Sequence, residues 1–277
     1  MDVKLTTLCE NTVVKPGFAA EWGLSILIET GDFKILFDTG ENTAAVYNAR
    51  KFGIDLSALN YIVFSHGHGD HTGGLREVLK YSGSKPIYAH PDIWQAKYTK
   101  KPEEKKKAYI GIPFIRDELE YLGATFNLSR EPQQITENIM TTGEVPMVTD
   151  YEIIEPNLFV REKGELKPDP LFDDSSLIIK TEKGLIIVLG CAHRGMINII
   201  RHSQKITGEE RIYAVIGGTH LGPASEERLA KTVKDLKEIN VEKIGVSHCT
   251  GFKASSRLAN LFPDKFFLNN AGTRITL

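Results

Sequence analysis

The stretch YIVFSHGHGDHTGG, residues 61–74, decides how this chain is read: an apolar run, 61–64, feeds straight into Ser65-His66-Gly67-His68-Gly69-Asp70-His71-Thr72-Gly73-Gly74. Four side chains able to bind a metal, His66, His68, Asp70 and His71, stand within six positions. Imidazole is the commonest biological metal ligand and carboxylate suits the same ions, while interleaved glycines free the backbone to aim alternate side chains at one point. Three imidazoles and a carboxylate crowded at a strand end are costly to bury unless something satisfies them, and a metal does so.

Working outward, three more histidines directly follow predicted strands: His193 in GCAHRG, His220 in GGTHLG and His248 in SHCTG. In open sheets with parallel strands a ligand site gathers at the carboxyl ends of the strands, so six of the eight histidines converge on one rim. The remaining two, His90 before Pro91 and His202 on a predicted helix, read as structural or surface residues.

The runs 24–28 and 33–37, joined by Gly31-Asp32, carry a hairpin signal, and 177–179 with 185–189, joined through Glu182-Lys183-Gly184, repeat it. SILIET from Ser25 matches SLIIKT from Ser176 almost position by position. A helix over 43–52 and a strand over 61–64 follow the first hairpin; a helix over 196–206 and a strand over 213–216 follow the second. Ser225 can cap a helix in which Leu229, Val233, Leu236 and Ile239 recur at helical spacing. A strand at 243–246, a helix at 252–261 and a last strand near Phe266 complete the second half. Two such halves predict an α/β (α+β) fold, a four-layer αββα sandwich in a single domain spanning 1–277. The middle, about 86–160, reads as an insertion. It holds the charge run 100–107, a solvated face or a lid, and Trp94, Tyr98, Tyr109, Phe114 and Tyr121, which could line a pocket for a flat heterocycle.

Composition excludes several classes. With 277 residues, 41% hydrophobic and 25% charged, the chain is globular. Lys and Arg number 34 against 36 Asp and Glu, a net charge of −2 that gives no electrostatic footprint for nucleic acid. The longest apolar run, 185–192, falls far short of the ~20 residues a membrane helix needs. The first fourteen residues, MDVKLTTLCENTVV, carry Asp2, Lys4 and Glu10 and read as an opening strand, not a signal peptide. Cys9, Cys191 and Cys249 are widely spaced with no CxxC pair, which favours a reducing cytoplasm, and Cys191 and Cys249 read as small buried filler.

His66-x-His68-x-Asp70-His71 after a strand, Asp38 in LFDTG at a hairpin's end, and the later strand-end histidines resemble the metallo-β-lactamase superfamily over the length of the chain. GCAHRG, GGTHL and SHCTG are similar to its dihydropteroate-synthase-like branch, that of the archaeal dihydropterin-ribofuranosyl-aminobenzene-phosphate synthases. The resemblance implies two divalent metal ions, zinc first, with manganese or iron as alternatives. One would be held by His66, His68 and His193, the other by Asp70, His71 and His248, with Asp38 behind the ligands. Three histidines and an open position form a typical catalytic zinc arrangement. Most hydrolases of the superfamily place a metal-bridging Asp after the strand that here ends Gly217-Gly218-Thr219-His220; no carboxylate stands there. His220 replaces it or acts on substrate, and Asp70 and His220 are the candidate catalytic residues.

Such a site suits a hydrolase working through metal-bound hydroxide, or a transferase in which the metals neutralise a diphosphate leaving group while an amine attacks a pterin methyl carbon. A small phosphorylated or pterin-like molecule is the expected substrate, with Arg194, Lys253, Ser255 and the N–H groups of the last helix as candidate anion contacts. The alternatives are an iron-dependent oxidoreductase and a non-catalytic metal-binding module.

Overall fold

Alternation along the apolar strands sets the layers. In Ser25–Glu29, Ile26 and Ile28 pack into one core and Leu27 into another; in Lys34–Phe37, Ile35 and Phe37 join the first and Leu36 the second. Side chains of a strand point to opposite faces in turn, so a strand apolar at every position is covered on both sides. The computed structural model describes residues 2–31, 33–100 and 107–277; Asp32 of the expected turn and 101–106 of the charge run lie outside them.

Among the described residues there are three sheets. The first runs β18 (Arg274–Thr276), β1 (Lys4–Cys9), β2 (Ser25–Glu29), β3 (Lys34–Phe37), β4 (Tyr61–Val63), β5 (Lys85–Ala89), β8 (Ala124–Leu128). The second runs β17 (Phe266–Leu268), β16 (Lys243–Ser247), β15 (Ile212–Gly218), β14 (Gly184–Leu189), β13 (Ser176–Thr181), β10 (Ile139–Thr141), β9 (Gln134–Thr136). The third and smallest is β12 (Glu165–Pro168), β11 (Leu158–Glu162), β6 (Ala96–Thr99), β7 (Ala108–Tyr109). The repeat seen in the sequence is a repeat of topology: β2–β3 and β13–β14 are antiparallel, and β3–β4–β5 and β14–β15–β16 continue in parallel.

The two large sheets face one another through Ile26, Ile28 and Phe37 on one side and Ile179, Ile186 and Val188 on the other. Helices α1 (Ala44–Lys51) and α3 (Leu75–Ser82) cover the outer face of the first sheet; α5 (Met196–Thr207), α6 (Glu226–Ile239) and α7 (Gly251–Leu261) cover that of the second. This is the expected αββα sandwich. Two short helices, α2 (Gly69–Thr72) and α4 (Arg116–Tyr121), complete the set. The Ser225 hydroxyl accepts from Arg228 N and caps α6 as its sequence suggests.

The stretch 86–160, expected to stand apart as an insertion, supplies β5 and β8 to the first sheet and β9 and β10 to the second. What stands apart is the third sheet, which pairs β6 and β7 with β11, straddling the expected boundary, and β12 beyond it. These short strands lack the continuous apolar runs that marked the others. Strand β18 is the other addition: Arg274-Ile275-Thr276 alternates polar and apolar over three residues, too short a run to mark a strand without its pairing to β1.

Candidate metal centre

The parallel strands β3, β4, β14, β15 and β16 all end on one rim, and each turn beyond them carries a candidate residue: Asp38, His66 to His71, His193, His220 and His248. Asp38, Ala192, His220 and His248 have φ of 57°, 54°, 47° and 52°, a left-handed conformation that non-glycine residues seldom adopt. Such outliers persist where the surrounding structure over-determines them. Here sharp left-handed turns at four strand ends aim side chains at a common centre.

Backbone contacts hold the 65–74 loop. Leu24 N donates to Asp70 O and Thr39 N to His71 O, at 3.2 and 2.7 Å, while Gly69 N reaches Ile110 O at 2.8 Å. A side chain at Gly67 would run into the Ile93 backbone, so this close approach needs glycine.

Two groups of side chains result. The ligand atoms of His66, His68 and His193 lie within 4.8 Å of one another, and so do those of Asp70, His71 and His248. All these histidines are buried. His66 Nε2 is 2.9 Å from His68 Nδ1, and His193 Nε2 has no hydrogen-bond partner, while His193 Nδ1 faces Glu155 Oε2 at 3.5 Å. Buried polar atoms are nearly always satisfied, so two imidazole nitrogens pressed together beside a third that has no partner fit a cation as what joins them.

The outer nitrogens are fixed. Asp38, fully buried, accepts from Ser65 N at 2.8 Å and Ser65 Oγ at 2.7 Å, and its Oδ2 is 2.7 Å from His71 Nδ1. His66 Nδ1 meets Ser65 Oγ at 2.9 Å, and His248 Nδ1 meets Asn11 Oδ1 at 2.9 Å. Hydrogen bonds of this kind leave the opposite nitrogen facing inward as the ligand atom. Asn11, and Glu10, whose Oε1 accepts from His248 N at 2.7 Å, carried no signal in the sequence.

Electrostatics divide the two groups. Burial, reinforced by the neighbouring imidazoles, pushes His66 and His68 well below the usual histidine range and His193 down to about 4. These rings are neutral near pH 7, the form that binds metal. Burial also disfavours the charge on His71, but Asp38 and Asp70 outweigh it and hold it up at about 9. Asp70 is kept ionised against its own burial by His71 and His248. Without a metal the second group therefore retains a proton where a divalent cation would bind.

His220 belongs to neither group. Its Nδ1 is 2.6 Å from Glu155 Oε1, and Glu155, His193 and His220 form a third cluster within 4.8 Å. Despite burial, the hydrogen bond to Glu155 raises the pKa of His220, and His193 together with His220 holds Glu155 below the usual carboxylate range against its own burial. Glu155→Gln is expected to bring the His220 pKa down, as read from ring-proton NMR titration of the metal-free protein; an unchanged midpoint would mean that the carboxylate does not control the ring. Glu155 lies in a Pro/Thr/Glu-rich passage, where nothing in the sequence singles it out.

A cavity of about 450 Å³ opens above these groups, walled by Trp22, Tyr109 and Leu158 and floored by Asp70, His193 and His248. Of the five aromatics expected there, Tyr109 alone lines it. Trp94 packs on Phe126, Phe114 joins the α1–α3 core, Tyr98 backs Tyr109 edge-on, and Tyr121 is exposed. Trp22, absent from that expectation, sits edge-on to His248 with ring centroids 5.5 Å apart.

The model of the metallo-beta-lactamase superfamily matches residues 23–248. The chain belongs to that superfamily. It is 37% identical to the 7,8-dihydropterin-6-methyl-4-(beta-D-ribofuranosyl)-aminobenzene-5'-phosphate synthase of Methanocaldococcus jannaschii, over 98% of this chain and 95% of that one. An uncharacterized protein of the same organism is 33% identical over 92% of this chain and 93% of its own length. The crystal structure of Tm1679, described as a metal-dependent hydrolase of the beta-lactamase superfamily, superposes with a TM-score of 0.86 at 30% identity, covering 99% of this chain and 98% of that one. As a metallo-β-lactamase-fold protein the chain is an enzyme, and the family's divalent-metal binding agrees with its His/Asp/Cys clusters. Among the described residues no helix is long and apolar enough to cross a membrane.

The expected anion contacts lie elsewhere. Arg194 follows His193, so its side chain turns away from the centre; its Nε donates to Val145 O and its Nη1 to Pro170 O, both at 2.5 Å. Lys253 points to solvent and pairs with Glu226 at 2.6 Å. Ser255, one turn into α7, borders a separate cavity of about 270 Å³ behind His248. Helical periodicity carries both α7 residues off the rim. His90 and His202 are structural, as expected: His90 Nδ1 accepts from Asp92 N at 3.0 Å, and His202 Nε2 meets Thr142 O at 3.0 Å.

Proposed function

We propose that this metallo-β-lactamase-fold enzyme holds two divalent ions, one at His66, His68 and His193 and one at Asp70, His71 and His248. We propose further that it acts as a transferase on a phosphorylated, pterin-like small molecule. The observation that carries the reading is the pair of converging ligand groups beneath an aromatic-walled cavity. The substrate class rests on the 37% identity to the Methanocaldococcus synthase.

When bound, divalent ions supply Lewis acidity that neutralises phosphate or diphosphate oxygens. The chain's own residues do the rest. Trp22 and Tyr109 offer aromatic walls between which a flat heterocycle fits. The third sheet, through Thr99, Tyr109 and Leu158, excludes water from one side. His220, anchored through Nδ1 by Glu155, leaves Nε2 as the atom able to move a proton at the cavity wall. In the transfer, the substrate amine forms a C–N bond to the pterin methyl carbon as the C–O bond to diphosphate breaks, and the amine loses one proton.

The test is metal content per chain on protein purified without added metal, followed by turnover of a pterin-methyl diphosphate with an aminobenzene acceptor. About two ions per chain are expected. His68→Ala and His193→Ala should each abolish turnover and lower the metal count. Turnover that survives chelation would reject the reading.

A further inference from the structure

We infer that Glu41 reads the aminopyrimidine edge of the substrate's heterocycle, its carboxylate accepting from the 2-amino group and the neighbouring ring N–H; this rests on the pterin reading above. The residue lies in the turn between β3 and α1 and lines the cavity beside Trp22 and Asn42. Its place there is built. Glu21 commits both carboxylate oxygens to the turn: Oε1 accepts from Asn42 N at 2.8 Å and Oε2 from Thr43 N at 3.1 Å. Gly23, at φ 131°, leaves no room for a side chain against the backbones of Asp70 and Glu41, and one at Gly73 would run into Glu41 O. The segments 21–23, 41–43 and 69–73 are therefore locked together, which sets Trp22 and Glu41 on one wall of the cavity.

That wall carries an unanswered group. Among the described residues, neither the Glu41 carboxylate nor the Asn42 amide has a hydrogen-bond or ion-pair partner, and no Lys or Arg lines the cavity. Burial, with Asp70 and Glu21 nearby, pushes the Glu41 pKa up, so nothing in the chain compensates its charge. A structural carboxylate such as Glu21 ends on backbone N–H groups; Glu41 ends on none. Trp22 beside it is 60% exposed, an aromatic surface left uncovered next to a free carboxylate. An aromatic wall with one placed acceptor suits a flat ring whose rim carries N–H donors.

An ionised carboxylate only accepts, and its two oxygens match two N–H groups side by side, as they do in a guanidinium fork. The pyrimidine ring of a pterin presents such a pair, the 2-amino group and N3–H, on the side of the bicycle remote from the methyl carbon that reacts. The Asn42 amide can donate to the adjacent 4-oxo group. Glu41 on the wall and the metal-ligand groups on the floor thus fix the direction in which the ring enters, donors toward the 41–42 turn and the phosphate-bearing carbon toward the histidines. Carboxylate repels phosphate, which disfavours the reverse orientation.

The test uses metal-loaded wild type and Glu41→Gln. The probes are 6-hydroxymethyl-7,8-dihydropterin and its analogue with 2-oxo in place of 2-amino, their Kd values read by calorimetry. Wild type should bind the amino compound about 10-fold more tightly than the oxo compound, whose oxygen faces the carboxylate. Glu41→Gln should erase most of that preference, since the amide can turn its NH₂ toward an oxygen, with the metal count per chain unchanged. In steady state the variant should raise KM for pterin-methyl diphosphate about 10-fold and leave that for the aminobenzene acceptor as it is. Equal binding of the two probes by wild type, a preference kept in full by Glu41→Gln, or an equal weakening of both probes would overturn the assignment and leave the pterin reading standing. So would a rise confined to the acceptor KM, which moves Glu41 to the other substrate. Wild type that binds neither probe and turns over no pterin diphosphate would overturn the pterin reading itself.

Discussion

Lys97→Met is expected to lower folding stability by about 3–5 kcal/mol, the cost of breaking a buried ion pair and leaving its partners uncompensated. Lys97 is fully buried in β6, and its Nζ lies 2.8 Å from both Asp169 Oδ2 and Asp173 Oδ1. Asp173 in turn accepts from Gly67 N at 2.8 Å, so the network ties the third sheet to the loop between His66 and His68. Burial opposes the charge on Asp173, but Lys97 outweighs it and holds the carboxyl below its usual range. A depressed carboxyl contributes stability above the unfolded value near 3.9, and loses it as pH falls through the folded value. Burial already raises Asp169 in spite of Lys97, and without Lys97 it raises Asp173 too; a raised group contributes below its unfolded pKa and loses that contribution as pH rises. Between about pH 4 and 7 the variant should therefore gain more stability on acidification than wild type, in which Asp169 alone of the two is raised. Urea unfolding at several pH values reads both effects, and a loss under about 1 kcal/mol at pH 7 would mean that water reaches the carboxylates.

The second large effect is on metal affinity. Asp38→Asn should weaken binding at the second position about 10–100-fold, as loss of a ligand's outer partner does elsewhere. Asparagine tolerates the left-handed backbone of residue 38, so the turn is kept. Its Oδ1 can still accept from Ser65 N, but its NH₂ then faces Ser65 Oγ and His71 Nδ1. His71 must accept at Nδ1 and carry its proton on Nε2, the nitrogen that faces His248 and Asp70. A protonated nitrogen cannot bind metal. In the metal-free protein the same change should lower the His71 pKa from about 9, since Asp38 is the main group raising it. The stability His71 contributes, present below about pH 6.5 and lost as pH rises through its folded value, shrinks accordingly. Competitive chelator titration measures the affinity, and an unchanged constant would mean that Asp38 does not set the tautomer.

The sequence carried the layers and the rim because both depend on local patterns. Runs such as 185–189 are apolar at every position, which requires a strand covered on both faces, and the repeated hairpins imposed two similar halves. Histidines placed directly after strands gather wherever those strands run parallel, and the SHGHGDH string needs no tertiary information to read as a ligand set. The polar shell behind the ligands was illegible. Asn11, Glu155 and Lys97 are single polar residues in ordinary surroundings, and their partners lie 237, 65 and 72 positions away.

The sequence by itself determined the αββα sandwich and the six histidines and Asp70 of the rim, since strand alternation and strand-end position are properties of short segments. Only the tertiary structure decided which side chains line the cavity, which replaced Phe114 and Tyr121 by Trp22. It also sent Arg194, Lys253 and Ser255 away from the centre. Those outcomes depend on the directions of side chains leaving turns and helices, and on which distant backbone closes against them, which no local pattern encodes.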